Sequence, residues 1–335
     1  MYLYYYYFSL PLILISNFMI MFIKSFFFMW MIMEINLISF ISLILMNKFI
    51  YFEIIMNYFL IQTLNSHLFI MLNILINLNF LNKINIIFIF LSMLTKMGMP
   101  PFHQWYLKMM KFLNWMIFSI NSSIQKIIPL FIINFYMFKN TKLFFNLSLY
   151  TILISSFIPF LSINTNSLKM IMCFSSFIQL AWMMLIMFIN EFFWILMFIT
   201  YNFISISIYY FLFLFNINYL NNLNSMNFNK FKNLYNFMFM FFSLASLPPF
   251  SGFMIKILFN NIMFKFLNLM ILMILMILSL LNLFYYMRIL NLTIMMFYTN
   301  NNMNFKFINF KNKKYSKLIY MFIITFMYIT MYELI

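Results

Sequence analysis

Long apolar runs recur along the whole of this 335-residue sequence, and they constrain its fold more than any other feature. Each run is ~20 residues long, which is the length that an α-helix needs to cross a bilayer core of ~30 Å. Hydrophobic residues make up 66% of the chain and charged residues 7%, a composition unlike that of water-soluble domains. Transmembrane β-barrels need alternating faces and turn glycines, and this chain has two glycines. The sequence therefore predicts an all-α, polytopic membrane protein.

About eleven transmembrane helices are predicted from the positions of these runs and of the polar connectors between them. We read residues 1–335 as a single transmembrane domain. The first run lacks a basic n-region and a small-residue cleavage site, so it is interpreted as a span and not as a signal peptide. The approximate bounds of the predicted spans are 3–23, 26–46, 52–75, 84–99, 113–138, 143–163, 168–189, 192–216, 234–262, 266–291 and 317–334.

Basic residues predict the orientation, because they accumulate on the side of the membrane from which the chain is inserted. Five connector lysines fall on one side, namely Lys24, Lys83, Lys139, Lys142 and Lys265. Eleven fall on the side of the N-terminus, namely Lys48, Lys108, Lys111, Lys169, Lys230, Lys232, Lys306, Lys311, Lys313, Lys314 and Lys317. This predicts an N-terminus in the matrix or cytoplasm. No nucleic-acid partner is expected, because the lysines stand singly between apolar runs.

Four ionisable residues are predicted to lie at bilayer depth, namely Glu34, Lys96, Lys126 and Lys256. Charged side chains in hydrocarbon are costly, so such residues usually face the bundle interior and mark ion or proton pathways. The structural alternative is that they form ion pairs that hold helices together. The chain has four carboxylates in all, and the other three fall at span ends, which favours the functional interpretation; these three are Glu53, Glu191 and Glu333.

The tripeptide PPF occurs twice, in MGMPPFHQW around 98–105 and in SLPPFSGFMIK at 246–256. A proline pair beside a glycine interrupts a helix, since proline removes a backbone donor and clashes with the preceding turn. The interruptions contain both glycines and four of the seven prolines of the chain, namely Gly98, Pro100, Pro101, Pro248, Pro249 and Gly252. Interrupted helices expose backbone groups that need water or polar partners, so each break is a candidate hydrated pocket beside a lysine.

By the count of spans, the two interrupted helices run in opposite directions, which is typical of transporters built from inverted repeats. The first repeat is predicted at about 26–163, with its break near 98–105. The second is predicted at about 168–291, with its break near 247–252, and a loop and a final helix occupy 292–335. His103 and Lys169 are candidate accessory residues, although a histidine in a surface turn more often makes a local hydrogen bond. A polar stripe in the third span is expected to bond neighbouring helices; it contains Gln62, Thr63, Asn65, Ser66 and His67.

Six stretches between about 30 and 291 carry a family resemblance: MIMEINLISF, TKMGMPPFHQW, IQKIIP, LKMIMCFSSFIQLAWMM, LPPFSGFMIK and LNLFYYMRIL. In this order they resemble the short, animal form of the mitochondrially encoded chain 2 family of NADH-ubiquinone oxidoreductase. These chains are antiporter-like, proton-pumping subunits of respiratory complex I. The resemblance assigns proton translocation to Glu34, Lys96, Lys126 and Lys256. One departure is that Gln179 stands where the family pattern has a histidine.

The resemblance implies a subunit of a proton-pumping NADH:ubiquinone reductase, a translocase, with no redox centre in this chain. NADH, FMN, iron–sulfur clusters and ubiquinone would be bound by partner subunits, and the partners would be core and accessory subunits of the membrane arm. Lipids, cardiolipin among them, are expected around the chain. The implied location is the mitochondrial inner membrane, with the N-terminus in the matrix and the C-terminus in the intermembrane space. Two alternatives stay open: an Mrp-like cation/proton antiporter subunit and a purely structural membrane subunit.

Overall fold

The computed structural model describes residues 2–45, 52–137, 141–158, 164–187, 191–225, 231–247, 250, 252–253, 256–257, 260 and 269–301. These residues form helices joined by turns, with one isolated β-bridge between Ser167 and Tyr219. The helices are α1 (Tyr2–Met19), α2 (Phe26–Leu45), α3 (Phe52–Asn77), α4 (Asn82–Met97), α5 (Gln104–Phe112), α6 (Trp115–Ser122), α7 (Ile127–Met137), α8 (Thr141–Phe157), α9 (Leu168–Ile186), α10 (Glu191–Leu214), α11 (Phe231–Leu244) and α12 (Leu269–Asn301). The predicted all-α fold is confirmed.

Five helical segments of the described residues are long and apolar enough to cross a membrane. They match the second, third, fifth, seventh and eighth predicted spans; their bounds are Phe26–Leu45, Phe52–Asn77, Trp115–Met137, Leu168–Ile186 and Phe193–Leu214. Some predicted bounds differ from the structure. Helix α1 ends at Met19 and not near residue 23, and α12 continues to Asn301, beyond the predicted end at 291. The last predicted span, 317–334, lies outside the described residues.

Helix α5 was not predicted, and it is amphipathic. Its buried residues are Tyr106, Met109 and Met110, whose spacing of three and four places them on one face. Lys108 and Lys111 are exposed. The short helix therefore packs one face on the bundle and turns its lysines to the outside.

The fifth predicted span contains an interruption that was also not predicted. Helix α6 ends at Ser122, and a 3₁₀ turn, Ile124–Lys126, separates it from α7. The hydroxyls of Ser122 and Ser123 both donate to the carbonyl of Ser119, at 3.1 and 2.6 Å, and such bonds compete with the helical pattern. Pro129 has no N–H with which to bond the carbonyl four residues before it. Local sequence thus explains the break.

Helix α9 lies at the centre of the bundle, in contact with α5, α8, α10 and α12. Every residue from 170 to 186 is buried. The outer helices carry exposed large apolar side chains, as expected of surfaces that face lipid; examples are Phe28, Ile38, Leu64, Ile199 and Tyr210. Side chains that reach α9 from its neighbours are consequently held away from lipid.

The two ends of the bundle carry different lysines. At one end, Lys24 lines a surface cavity together with Asn77 and Asn82. At the other end, the Nζ of Lys169 donates to the carbonyl of Lys111 at 3.2 Å. This grouping agrees with the sides predicted for these lysines. Beside the second group, Arg288 donates to the Oδ1 of Asn166 at 3.3 Å. Because α12 continues to Asn301, this arginine lies in the interior of the helix and not near its end.

Candidate functional site

Lys96 lies in the last turn of α4, half-buried, and lines a small cavity. Its Nζ is 3.1 Å from the Sδ of Met33 on α2, and its backbone carbonyl accepts a hydrogen bond of 3.1 Å from the Nε2 of Gln62 on α3. The cavity has a volume of about 30 Å³, enough for one or two water molecules. Its polar lining comes from the side chains of Asn36, Gln62, Lys96, Asn121 and Gln125.

Two amides cross the wall of this cavity between α2 and the 3₁₀ turn. The Nδ2 of Asn36 donates to the Oε1 of Gln125 at 2.8 Å, and the Nε2 of Gln125 donates to the Oδ1 of Asn36 at 3.2 Å. Gln125 directly precedes Lys126 in the chain. The cavity at Lys96 therefore extends to the turn that positions the next lysine.

Glu34 is half-buried on α2, and its carboxylate accepts a hydrogen bond from the hydroxyl of Ser66 on α3. Its charge acts on Lys96, but within the described residues the two side chains form no direct ion pair. The predicted polar stripe of α3 is confirmed at Ser66 and Gln62, which bond α2 and α4 respectively. His67 of the same stripe is exposed.

Lys126 ends the 3₁₀ turn between α6 and α7 and is 3% exposed. Its Nζ donates to the Oγ of Ser176 on α9 at 3.2 Å. The same ammonium lies 5.2 Å from the ring centroid of Tyr106 on α5, within the range of a cation–π contact. The interruption of the fifth span thus aims this lysine at the central helix.

Lys256 is also buried, at 8% exposed, and its partner is a residue of the second helix break. Its Nζ donates to the Oγ of Ser246 at 2.5 Å and lies 6.0 Å from a ring of Trp182 on α9. A second cavity of about 30 Å³ adjoins it, lined in part by Gln179, Thr200, Tyr201 and Ser246. Gln179 and Ser176 are three residues apart on α9 and share one face of it.

The two helix breaks have the same backbone pattern. In the first, Gly98 has φ +66°, and in the second, Ser246 has φ +54°, both in the left-handed region. The N–H of the following residue reaches five residues back in each, from Met99 to Leu94 and from Leu247 to Phe242. A backbone hydrogen bond of this span, next to a residue in the left-handed region, is typical of the C-terminal end of a helix. Pro248 and Pro249 lie outside the described residues; Pro100 and Pro101 are joined by a cis bond.

Glycine is required at both breaks for close approach. A Cβ on Gly98 would lie 2.5 Å from the Cβ of Tyr106, so this glycine lets the end of α4 pack against α5. A Cβ on Gly252 would collide with the carbonyl oxygen of Ser243. Both glycines of the chain are thus explained by packing at a break.

The two predicted accessory residues contact neighbouring helices at the bundle surface and not the three lysine ammonium groups of the site. The Nδ1 of His103 is 3.1 Å from the carbonyl of Pro101, and its ring packs against Phe177. Lys169 bonds the carbonyl of Lys111 in the last turn of α5, where a cation interacts favourably with the helix dipole. No cluster of histidine, cysteine or acidic residues that could hold a metal ion occurs in the part of the chain that the structure describes.

Several partners of the lysines were missed by sequence reasoning, namely Asn36, Tyr106, Gln125, Ser176 and Ser246. The sequence contains only a weak indication of these partners. Each is a polar residue in or beside an apolar run; Gln125 directly precedes Lys126, and Asn36 is two residues from Glu34. Burial of such a group requires a partner, and the partner is rarely identifiable from sequence.

From α2 to the second break, neutral polar side chains lie between the three predicted lysines. Lys96 lines one cavity, Gln125 of the same cavity directly precedes Lys126, and α9 carries both the Ser176 partner of Lys126 and the Gln179 side chain that lines the cavity of Lys256. Glu34 bonds Ser66 and lines neither cavity. Buried ionisable groups linked by hydroxyls, amides and water-sized cavities can exchange protons across a membrane protein interior.

Comparisons with known proteins all match this chain to one family. The family described as "NADH:quinone oxidoreductase/Mrp antiporter, TM" matches residues 6–282. The chain is 32% identical over 304 residues to NADH-ubiquinone oxidoreductase chain 2 of Anopheles gambiae, which covers 88% of this chain and 87% of the relative. It is 31% identical to the chain 2 protein of Sylvisorex ollula, over 89% of this chain and 88% of the relative.

Solved structures share the fold. A chain of respiratory complex I from Thermus thermophilus superimposes with a TM-score of 0.73 at 14% identity, over 86% of this chain and 70% of that chain. A chain of an Mrp complex from a Dietzia species gives a TM-score of 0.73 at 14% identity, over 84% of this chain and 59% of that chain.

Proposed function

Because the chain belongs to the NADH:quinone oxidoreductase/Mrp antiporter family, as a homologue of NADH-ubiquinone oxidoreductase chain 2, we propose that Lys96, Lys126 and Lys256 carry protons through it. The chain is an antiporter-like, proton-translocating membrane subunit of complex I, and its partners are other subunits of that complex. Glu34 is the anionic member of the set. The NADH, FMN, iron–sulfur and ubiquinone sites belong to partner subunits in this proposal.

The finer architecture is part of the same proposal. Eleven spans form two inverted repeats, at about 26–163 and 168–291, in the mitochondrial inner membrane with the N-terminus in the matrix. The shared backbone pattern at Gly98 and Ser246 supports the repeats, because two helices then end in the same way at corresponding positions. The separation of lysines between the two ends of the bundle supports the orientation.

One observation carries the assignment of the lysines: each of the three lies at or reaches a helix interruption, and its ammonium contacts a neutral group. The contacts are the Met33 sulfur for Lys96, the Ser176 hydroxyl for Lys126 and the Ser246 hydroxyl for Lys256. A purely structural role predicts carboxylate partners, and none contacts these ammonium groups within the described residues. A lysine with a neutral partner can lose its proton without leaving a buried, unpaired carboxylate behind.

The experiment uses the assembled complex with Lys126→Met or Lys256→Met, since methionine keeps the side-chain bulk and removes the titratable group. We expect normal amounts of complex, and a coupled NADH oxidation rate lowered at least ~10-fold, because a proton-transfer group is lost. The matched control is Lys83→Met, at an exposed lysine outside the cavities. Full assembly with an unchanged rate and an unchanged proton yield per NADH would refute the proposal.

A further inference from the structure

A cavity of about 200 Å³ lies at the end of the bundle that carries Lys24, in a part of the molecule that the proposed function does not use. Four helix ends border it: α2 begins at Phe26, α3 ends at Asn77, α4 begins at Asn82 and α7 ends at Met137. We call it the Lys24 cavity. Its volume leaves room for several water-sized groups, so it can accept a ligand larger than a single water molecule.

The rim of the Lys24 cavity carries one cation and two amides. Lys24, Asn77 and Asn82 all line the cavity and are exposed. Within the described residues, Lys24 makes no hydrogen bond or ion pair, and none of the described residues that line the cavity is acidic. An ammonium and two amide N–H groups are hydrogen-bond donors that suit the oxygens of an anion.

The buried polar groups of the cavity bond one another. Tyr136 and Asn73 line the cavity and are buried, and the Tyr136 hydroxyl donates to the Oδ1 of Asn73. The Nδ2 of Asn73 in turn donates to the carbonyl of Phe69 at 2.7 Å. The anionic part of a ligand therefore belongs at the rim, beside Lys24.

The rest of the lining is largely apolar. Phe26, Ile76 and Phe135 line the cavity and are half-buried. On α2 this apolar surface continues into Phe27 and Phe28, which are 50% and 59% exposed, as expected of a surface that faces lipid. A free phosphate ion would leave the apolar lining against water, whereas a phospholipid covers it with hydrocarbon and brings its phosphate to the rim.

We propose that the Lys24 cavity is a phospholipid site, in which the phosphate group binds Lys24, Asn77 and Asn82 and an acyl chain lies along Phe26 and Phe135. The ends of membrane helices lie at the depth where headgroups meet the hydrocarbon region, and lysines near helix ends extend to that depth. The phosphate supplies the negative charge that the lining of the cavity lacks. This inference is independent of the proposed proton carriers.

The test uses a photoreactive phosphatidylglycerol, with a diazirine on its acyl chain near the glycerol, in vesicles that contain the assembled complex. After illumination, peptide mass spectrometry should find the label within residues 24–28 or 131–136. Lys24→Met should lower this labelling about 5-fold, because one lysine contact with an anionic headgroup is lost. Lys24→Arg keeps the charge and should retain most of the label. Label around Leu64, which is exposed on α3, is the internal reference and should not change.

Lys83→Met is the matched control, because Lys83 is an exposed lysine next to Asn82 that does not line the cavity. Its labelling within the two segments should equal that of the unmodified complex. An equal loss in Lys24→Met and Lys83→Met would show general attraction of lipid to positive charge and overturn the site. No loss in either variant would overturn it as well.

Competition and a map separate the phospholipid from two other ligands. Excess inorganic phosphate should leave the labelling of the unmodified complex unchanged; if it removes the label, the cavity binds free phosphate and the lipid assignment is wrong. A map of the intact complex should show a phosphate with attached hydrocarbon within hydrogen-bond distance of the Lys24 Nζ. A carboxylate of another subunit at that position, or water alone, would overturn the proposal.

Discussion

Serine hydroxyls are the direct partners of three of the ionisable groups in this site. Ser66 donates to the Glu34 carboxylate, whereas Ser176 and Ser246 accept from the ammonium groups of Lys126 and Lys256. A hydroxyl can do both, since it carries one donor and two acceptor positions. Such a partner stays bonded whether the ionisable group is charged or neutral. The choice of serine at these positions therefore suits groups that change charge.

Ser66→Ala is expected to slow the subunit while leaving the complex assembled. Loss of the hydroxyl leaves the half-buried Glu34 carboxylate without its hydrogen-bond donor, at a cost of about 1–3 kcal/mol. A change of ~1.4 kcal/mol in a barrier is tenfold in rate, so coupled NADH oxidation should fall several-fold. The measurement is the initial rate in membrane vesicles at saturating NADH.

Ser42→Ala is the control for this prediction, because Ser42 bonds the carbonyl of Ser39 in its own helix and touches no ionisable group. Its rate should be unchanged. Equal rates for the two alanine variants would show that the Ser66 hydroxyl does not contribute to the environment of Glu34 during turnover.

At the scale of helices, an interrupted helix positions each of the three lysines Lys96, Lys126 and Lys256. Helix α4 ends one residue after Lys96, and the 3₁₀ turn ends at Lys126. Lys256 reaches back to Ser246 at the second break. Continuous helices would direct these side chains along regular faces, whereas a small cavity lies beside the ammonium groups of Lys96 and Lys256 at the two proline-containing breaks. The breaks thus connect the local sequence to the polar interior.

Gly98→Ala is expected to disturb the first break. The left-handed backbone at this position costs a residue with a Cβ roughly 1–2 kcal/mol, and the new methyl group would lie 2.5 Å from the Cβ of Tyr106. Helix α5 must then move away from α4. We expect a lower midpoint of thermal unfolding of the membrane arm and a lower coupled rate.

Asn79→Ala is the matched control for the glycine variant. Asn79 also has a positive φ, of 58°, but is exposed in the turn between α3 and α4. This variant has the backbone cost without the collision, and we expect a small fall in stability and no change in rate. If the two variants behave alike, packing against Tyr106 does not explain the glycine.

The sequence predicted the helices better than their interruptions. Runs of apolar residues located α2, α3, α9 and α10 within a few residues, because length and hydrophobicity alone decide whether a helix spans a bilayer. The break before Lys126 depends on two serine side chains that bond Ser119 and on Pro129, and each of these is tolerated in many transmembrane helices. Their combined effect depends on geometry that a one-dimensional pattern does not contain.

The same distinction holds for the site. The predicted residues Lys96, Lys126 and Lys256 could be identified because a charge in an apolar run is conspicuous. Their partners could not, because Ser176 and Ser246 look like any other hydroxyl in a span until tertiary packing brings them to an ammonium group. The sequence thus identifies the ionisable groups but not the residues that contact them.

Across the whole molecule, α9 connects the two halves of the polar interior. Ser176 contacts the Lys126 ammonium, and Gln179, one turn further along the same face of α9, lines the cavity of Lys256. The helix is almost entirely buried, so its polar side chains are kept away from bulk water and need hydrogen-bond partners inside the bundle. The order of groups is Glu34, Lys96, Lys126 and Lys256, with Lys126 between the two helix breaks.

This order predicts how variants combine. If protons pass Lys96, Lys126 and Lys256 in series, then Lys126→Met alone interrupts the row, and adding Lys96→Met to it should change the remaining rate by less than about twofold. Independent sites would instead show additive free energies, and so multiplied losses in rate, whereas members of one network show large interaction terms. The measurement is the coupled NADH oxidation rate of the two single variants and the double variant.

Adding Lys83→Met to Lys126→Met controls for general damage from a second substitution, because Lys83 is exposed at the start of α4. That double variant should match Lys126→Met in both rate and amount of complex. Multiplied losses in the Lys96 and Lys126 pair, with no such loss in the control pair, would mean that the two lysines serve separate proton paths. The cavity lined by Lys96 and Gln125 argues for a single path, since Gln125 directly precedes Lys126 in the chain.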